Sequence, residues 1–190
     1  MKFREYLKEI NTPVEYSNMW YNIENGTNFN TYINIDSDNN VYVDEVNQIG
    51  DTSFFVTLNV QKYDKFIHTK PVYIFKFEDR KGRTNVTGLG ATFAKTLFGA
   101  IEKVFAEMIK LIDKDSSVLF SASLSDDEKS RSLIYDRFIK KILKRHPYEI
   151  SEDILQSYYK AFENSKLYGF SLTQKGLDSL TNDFNKKPKE

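Results

Sequence analysis

The sequence predicts an α/β (α+β) fold, a mixed and mostly antiparallel sheet of about six or seven strands with two long helices packed on it. Two observations predict it. The run from Pro71 to Arg145 reads as strand, glycine turn, long helix, short strand and long helix, and a strand-helix-strand unit implies parallel pairing through a right-handed crossover. Upstream of Pro71 the chain carries short aromatic and β-branched runs separated by turn residues, the pattern of an antiparallel meander.

The elements follow in order. Phe3, Tyr6, Leu7 and Ile10 share one face of a short amphipathic helix over residues 2–10, which Asn11-Thr12-Pro13 stops. The stretch from Tyr16 to Ile23 is aromatic-rich and β-like, without a clear period. Asn30 to Ile35 alternates Tyr and Ile with polar residues, Asp36 to Asn40 is turn chemistry, and Val41-Tyr42-Val43 resumes the strand pattern, so a hairpin is expected over 30–46. Phe54 to Val60 is a further strand, and Val72 to Phe77 is a near-continuous apolar strand covered on at least one face.

After Gly90 the residues Phe93, Leu97, Ile101, Val104, Phe105, Met108 and Ile112 recur at three- and four-residue steps. They predict a helix of about six turns lying flat on the sheet. Val118 to Ser123 is a short buried strand, and Ser125-Asp126-Asp127-Glu128 is a capping box that opens a second long helix, broken at His146-Pro147. Residues 151–164 predict a third helix, Leu167 to Leu172 a last strand, and Thr173 to Phe184 a capped helix. One domain over residues 1–184 and a disordered Lys-rich tail over 185–190 complete the expected organisation.

Composition excludes several function classes. Hydrophobic residues are 40% and charged residues 28%, a globular mixture, with twelve Tyr and fifteen Phe against one Trp. Lys+Arg and Asp+Glu are equal at 27, so no global field recruits nucleic acid or an acidic membrane surface. With no Cys, the chain has no disulfide framework, thiolate zinc site or cysteine nucleophile. His68 and His146 stand far apart without neighbouring ligands, so no metal is expected. No signal peptide or membrane span is read, and the expected location is the cytoplasm.

Asn85-Val86-Thr87-Gly88-Leu89-Gly90-Ala91 lies where the apolar strand hands over to the long helix. Glycines there can bare backbone N–H groups at a helix N-terminus, where the first donors lack intrahelical partners and the macrodipole favours an anion. Arg80, Lys81 and Arg83 just upstream would pair with phosphates. The same glycines also suit a tight turn with close helix-to-sheet packing, and the basic residues a solvated hairpin tip.

A meander followed by strand, glycine turn, helix, strand and helix resembles the Gcn5-related N-acetyltransferase (GNAT) order of elements. In that family the turn follows Gln/Arg-x-x-Gly-x-Gly/Ala and its amides hold the pyrophosphate of acetyl-CoA. Gly88 and Gly90 match the two glycine positions, and Asn85 stands where Gln or Arg is usual. The resemblance therefore implies an acetyl-CoA site at Arg83, Asn85, Thr87, Gly88, Leu89, Gly90 and Ala91. It also implies Tyr135, within Ser132-Leu133-Ile134-Tyr135-Asp136-Arg137-Phe138, as the acid that protonates the departing thiolate, without the Gly-Phe that normally follows.

Thr87-Gly88-Leu89-Gly90, Phe120-Ser121-Ala122 and Ser130 to Arg137 are also similar to a family of tailed-bacteriophage proteins with no assigned activity. That resemblance implies a viral accessory protein in the host cytoplasm or the virion.

Tyr135 lies one turn after Arg131 on the same helix face. It is a general acid if a cation and water exclusion tune it, or a packed ring with a wet hydroxyl. Ser121 and Ser123 lack a nucleophile elbow, so a serine hydrolase is not expected. Arg137, Lys140, Lys141, Lys144 and Arg145 give the second helix a basic face, solvated or meeting an acidic partner, and nucleic acid is not the expected one. Asp36, Asp38 and Asp44 lack the glycine and closing glutamate of a calcium loop and read as turn formers.

Two function classes follow. One is acyl-CoA-dependent N-acyl transfer to an unassigned amine. The other is a non-catalytic phage protein that keeps the architecture and binds a host factor or another virion protein.

Overall fold

A computed structural model of the chain describes residues 14–16, 28–35, 41–44, 53–60, 68–79, 90–123, 138–159 and 165–186. Their strands are β1 (Val14–Tyr16), β2 (Asn28–Ile35), β3 (Val41–Asp44), β4 (Ser53–Val60), β5 (Val72–Asp79), β6 (Ser117–Ser123), β7 (Tyr148–Glu149) and β8 (Ser165–Ser171). The helices are α1 (Gly90–Met108), α2 (138–143), α3 (Glu152–Tyr159) and α4 (Gln174–Asn185). The fold is mixed α+β. The chain divides into two compact units, Met1–Thr57 with Phe77–Lys110 and Leu58–Lys76 with Leu111–Glu190, so the division falls within β4 and β5.

In the first unit the expected hairpin is present, with β2 antiparallel to β3 from Tyr32↔Asp44 to Ile35↔Val41. Alternation directs Phe29, Thr31, Ile33 and Ile35 inward along β2. The strand order is β1-β3-β2-β4, which corrects the expected meander because β4 returns beside β2 rather than β3. The other edge of β3 is taken by β1, which runs parallel to it from Val14↔Val41 to Tyr16↔Val43. No local signal announced this pairing, since Val14, Glu15 and Tyr16 follow a proline without a strand period of their own.

α1 packs on β2 and β3. Phe93, Leu97, Ile101, Val104, Phe105 and Met108 are all buried on its inner face, as the spacing predicts, and Phe98 and Ala100 join them. The helix is 19 residues long, shorter than expected. Its bonding tightens beyond Met108, where Lys110 N–H reaches the Glu107 carbonyl three residues back. Ile112 is buried from the following turn.

In the second unit the order is β5-β6-β8-β7. β5 and β6 pair in parallel from Val72↔Ser117 to Phe75↔Phe120, as expected for strands joined through a helix. β6 and β8 form a longer antiparallel ladder from Ser117↔Ser171 to Ser123↔Ser165, and the hydroxyls of Ser117 and Ser171 meet at 2.6 Å inside it.

One side of these strands carries a cluster of Val72, Ile74, Leu119, Ile150, Ile154, Leu155, Tyr158, Leu167 and Leu180, closed by α3 and by Leu177 and Phe184 of α4. The other side carries Phe75, Phe120 and Phe170, with the His146 ring stacked on Phe170 at 3.8 Å between centroids. Burial on both sides explains why Val72 to Phe75 reads as a continuous apolar run.

β7, the two residues that directly follow Pro147, was not expected. It pairs with β8 at Tyr148↔Ser171 and Glu149↔Phe170, and two residues are too few to carry a period. Residues 2–10, the Ser125 capping box, 160–164 and 187–190 lie outside the described residues.

Candidate functional site

α1 is described from Gly90, with Ala91 as its second residue. Arg83, Asn85, Thr87, Gly88, Leu89 and Tyr135 lie outside the described residues. The chain leaves β5, runs through α1, five turns of which are described from Gly90, and returns in β6 parallel to β5. The parallel register ends at Phe75↔Phe120, whereas β6 continues against β8 to Ser123.

Within the second unit, a set of charged side chains converges around α4. The loop from α1 to β6 turns on Asp113, whose carboxylate accepts the Asp115 N–H at 2.7 Å and whose carbonyl accepts the Ser116 N–H at 2.9 Å. That turn places Asp115 inside, only 3% exposed. Its Oδ1 accepts from Thr173 Oγ1 at 2.9 Å, its Oδ2 accepts from Lys175 Nζ at 2.7 Å, and Lys70 Nζ stands 3.6 Å away. Thr173 has two tasks, because its hydroxyl also accepts the Gly176 N–H at 3.1 Å as the N-cap of α4.

The second convergence lies at the far end of α4. Asp183, 5% exposed, accepts from Thr69 N–H at 2.5 Å, from Thr69 Oγ1 at 2.6 Å and from Lys186 Nζ at 3.1 Å. Beside it the Tyr158 hydroxyl and His68 Nε2 are 3.3 Å apart. Between Thr69 and the α4 side chains Lys175, Asp178, Ser179, Asn182, Asp183 and Lys186 is an open cavity of 320 Å³.

Electrostatics follow the contacts. The hydrogen bonds from Lys175 and Thr173 hold the Asp115 carboxyl at about 2, and Asp115 in turn raises the Lys175 ammonium above its usual value. Asp113 is lowered by the Asp115 N–H, with Lys70 assisting. Burial pushes Asp183 up, but the Thr69 hydroxyl and amide together with Lys186 outweigh it and leave the carboxyl below its ordinary value. Burial lowers His68, opposed by Asp183, and burial then Arg145 lower His146.

Both buried carboxylates are therefore ionised near neutrality and turned to donors of their own chain. The cluster fastens α4; it does not pair a nucleophile with a base. Among the described residues no group of three or more His, Asp or Glu comes together as a metal-ligand set, and no helix is long and apolar enough to cross a membrane.

Sequence reasoning passed over this cluster. Asp113 and Asp115 follow the long helix without a motif of their own, although the Thr173 cap was legible. One signal was present: Gly176, Leu180 and Asp183 fall on one face at four- and three-residue steps, which sets a carboxylate on the inner side of α4. No protein-family model matches the chain, and neither the curated proteins nor the solved structures contain a match to it.

Proposed function

We propose that this chain is an acyl-CoA-dependent N-acyltransferase-like accessory protein of a tailed phage, with a GNAT-like order of elements. The observation that carries the reading is the parallel pairing of β5 and β6, strands that α1 separates along the chain. In open sheets with parallel strands, ligands bind beyond the carboxyl ends of those strands. A helix N-terminus offers unpartnered N–H groups and a favourable dipole to a phosphate. A second long helix from the Ser125 capping box to Arg145, of which 138–143 is helical, belongs to the same reading.

In this proposal the backbone amides of Thr87 to Ala91 hold the pyrophosphate, with Arg83 and Asn85 beside them. When bound, acetyl-CoA supplies a thioester carbonyl to an acceptor amine. As the amine formed the amide bond and the thioester C–S bond broke, the Tyr135 hydroxyl would give its proton to the thiolate and a nearby carboxylate or water would take the proton lost by the amine; the protein acts in the host cytoplasm.

Isothermal calorimetry with acetyl-CoA, with CoA and ATP as controls, tests the reading. Micromolar binding that favours acetyl-CoA and is lost in a folded Gly90→Asp protein is the expected result. No heat from folded wild-type protein refutes the cofactor site and leaves the non-catalytic phage protein as the reading. Normal acetyl transfer by Tyr135→Phe removes the acid assigned to Tyr135 alone.

A further inference from the structure

α4 is fastened at both ends by charge and in its middle by little apolar surface. At its start Asp115 takes the Thr173 hydroxyl and the Lys175 ammonium. At its end Asp183 takes the Thr69 amide and hydroxyl, with Lys186 closing the pair. Between these pins only Leu180 is a fully buried apolar residue of α4, and Leu177 and Phe184 are partly covered.

We propose that α4 is a charge-held strap: with Asp115 and Asp183 ionised it lies on β6 and β8, and neutralising either carboxylate releases it as a unit while the β6-β8-β7 strands stay paired.

The two pins report to adjacent residues. Thr69 binds Asp183, and Lys70 stands 3.4 Å from Asp113 and 3.6 Å from Asp115. Loosening one end therefore shifts the short segment that holds the other. The strands beneath have fastenings of their own. They are joined by the β6-β8 ladder, the Ser117-Ser171 hydroxyl pair and the apolar face of α3. Protonation thus strikes the fastening of α4 before it strikes the sheet.

The charged groups facing Asp115 are Lys175 of α4, Lys70 before β5 and Asp113 of its own loop; those facing Asp183 are Lys186 and His68. Protonation of His68 adds a cation near Asp183 and favours the Asp183 carboxylate.

Hydrogen exchange on the full chain tests the strap, comparing wild type with Asp115→Asn and Asp183→Asn at neutral pH. The expected result is that α4 amides exchange roughly tenfold faster or more in each variant, while β6 and β8 amides change by less than about threefold. Equal acceleration in α4 and in β6 and β8 overturns the proposal, as does unchanged protection of α4 in both variants. If neither variant folds, acid titration of the wild type decides. Loss of α4 protection at a higher pH than that of β6 and β8 supports the strap, and simultaneous loss overturns it.

Discussion

Gly176→Ala separates helix propensity from packing, because the two predict opposite signs. Gly176 is the third residue of α4, and alanine is favoured over glycine inside a helix by about 0.8–1 kcal/mol. A Cβ at this position would lie 2.6 Å from the Asp115 carbonyl oxygen and 3.0 Å from its carbonyl carbon. Both atoms are backbone and cannot rotate away. Reaching ordinary contact at 3.4 Å requires α4 or the Asp115 loop to retreat by about 0.8 Å. The bonds from Thr173 at 2.9 Å and Lys175 at 2.7 Å to the same Asp115 would lengthen with it. Overpacking of this kind costs about 1–3 kcal/mol, so the net expectation is a loss of up to about 2 kcal/mol once the propensity gain is subtracted. With a urea slope of about 2 kcal/mol/M the unfolding midpoint should fall by up to about 1 M. Ser179→Ala, on the cavity side of the same helix, serves as the propensity control and should raise the midpoint slightly. A midpoint for Gly176→Ala that rises with the control would refute the claimed close approach to Asp115.

Thr173→Ala removes the N-cap of α4 and one donor to Asp115, and urea unfolding should show a loss of about 1 kcal/mol or somewhat more. Gly169→Ala would place a Cβ 2.6 Å from Leu119 Cδ2, 2.9 Å from Ile150 Cδ1 and 3.1 Å from the Val118 carbonyl. A loss of about 1–2 kcal/mol is expected, and pairing it with Ile150→Val should recover part of it in a double-mutant cycle. Asp115 is depressed from 3.8 to about 2 in the folded chain. Its contribution is therefore present above pH 4 and lost as pH falls toward 2. The fall of the urea midpoint across that window should be shallower in Asp115→Asn than in wild type. In calorimetry, Gly90→Asp should abolish acetyl-CoA binding without changing the far-ultraviolet circular dichroism of the protein.

Elements with a strong internal period were legible before any coordinates. The stripe from Phe93 to Met108 marked α1, the alternation around Ile33 and Val41 marked the β2-β3 hairpin, and the apolar run at Val72 marked a strand covered on at least one face. Each of these signals is carried by residues within one or two turns or strand lengths of each other. β1, β7 and the return of β4 to β2 carried no such mark, since a two- or three-residue strand has too few positions to alternate and its partner is chosen by distant chain. The glycine pattern ahead of α1 is legible for the same local reason, and all of it before Gly90 lies outside the described residues.

The Asp115 and Asp183 cluster belongs to the other category. Asp115 meets Thr173 and Lys175 across 58 and 60 positions, and Asp183 meets Thr69 across 114. A carboxylate in a turn and a carboxylate on a helix are ordinary in sequence. Burial makes them consequential, because a buried charge must be met by donors from wherever the fold brings them. The sequence alone determined the class of fold, the placement of α1 and the parallel strands that it joins, because backbone propensity and hydrophobic period act over short separations. Only the tertiary structure decided which strand lies beside which, and that two carboxylates hold α4 in place, because both depend on contacts between residues that are neighbours in space and strangers along the chain.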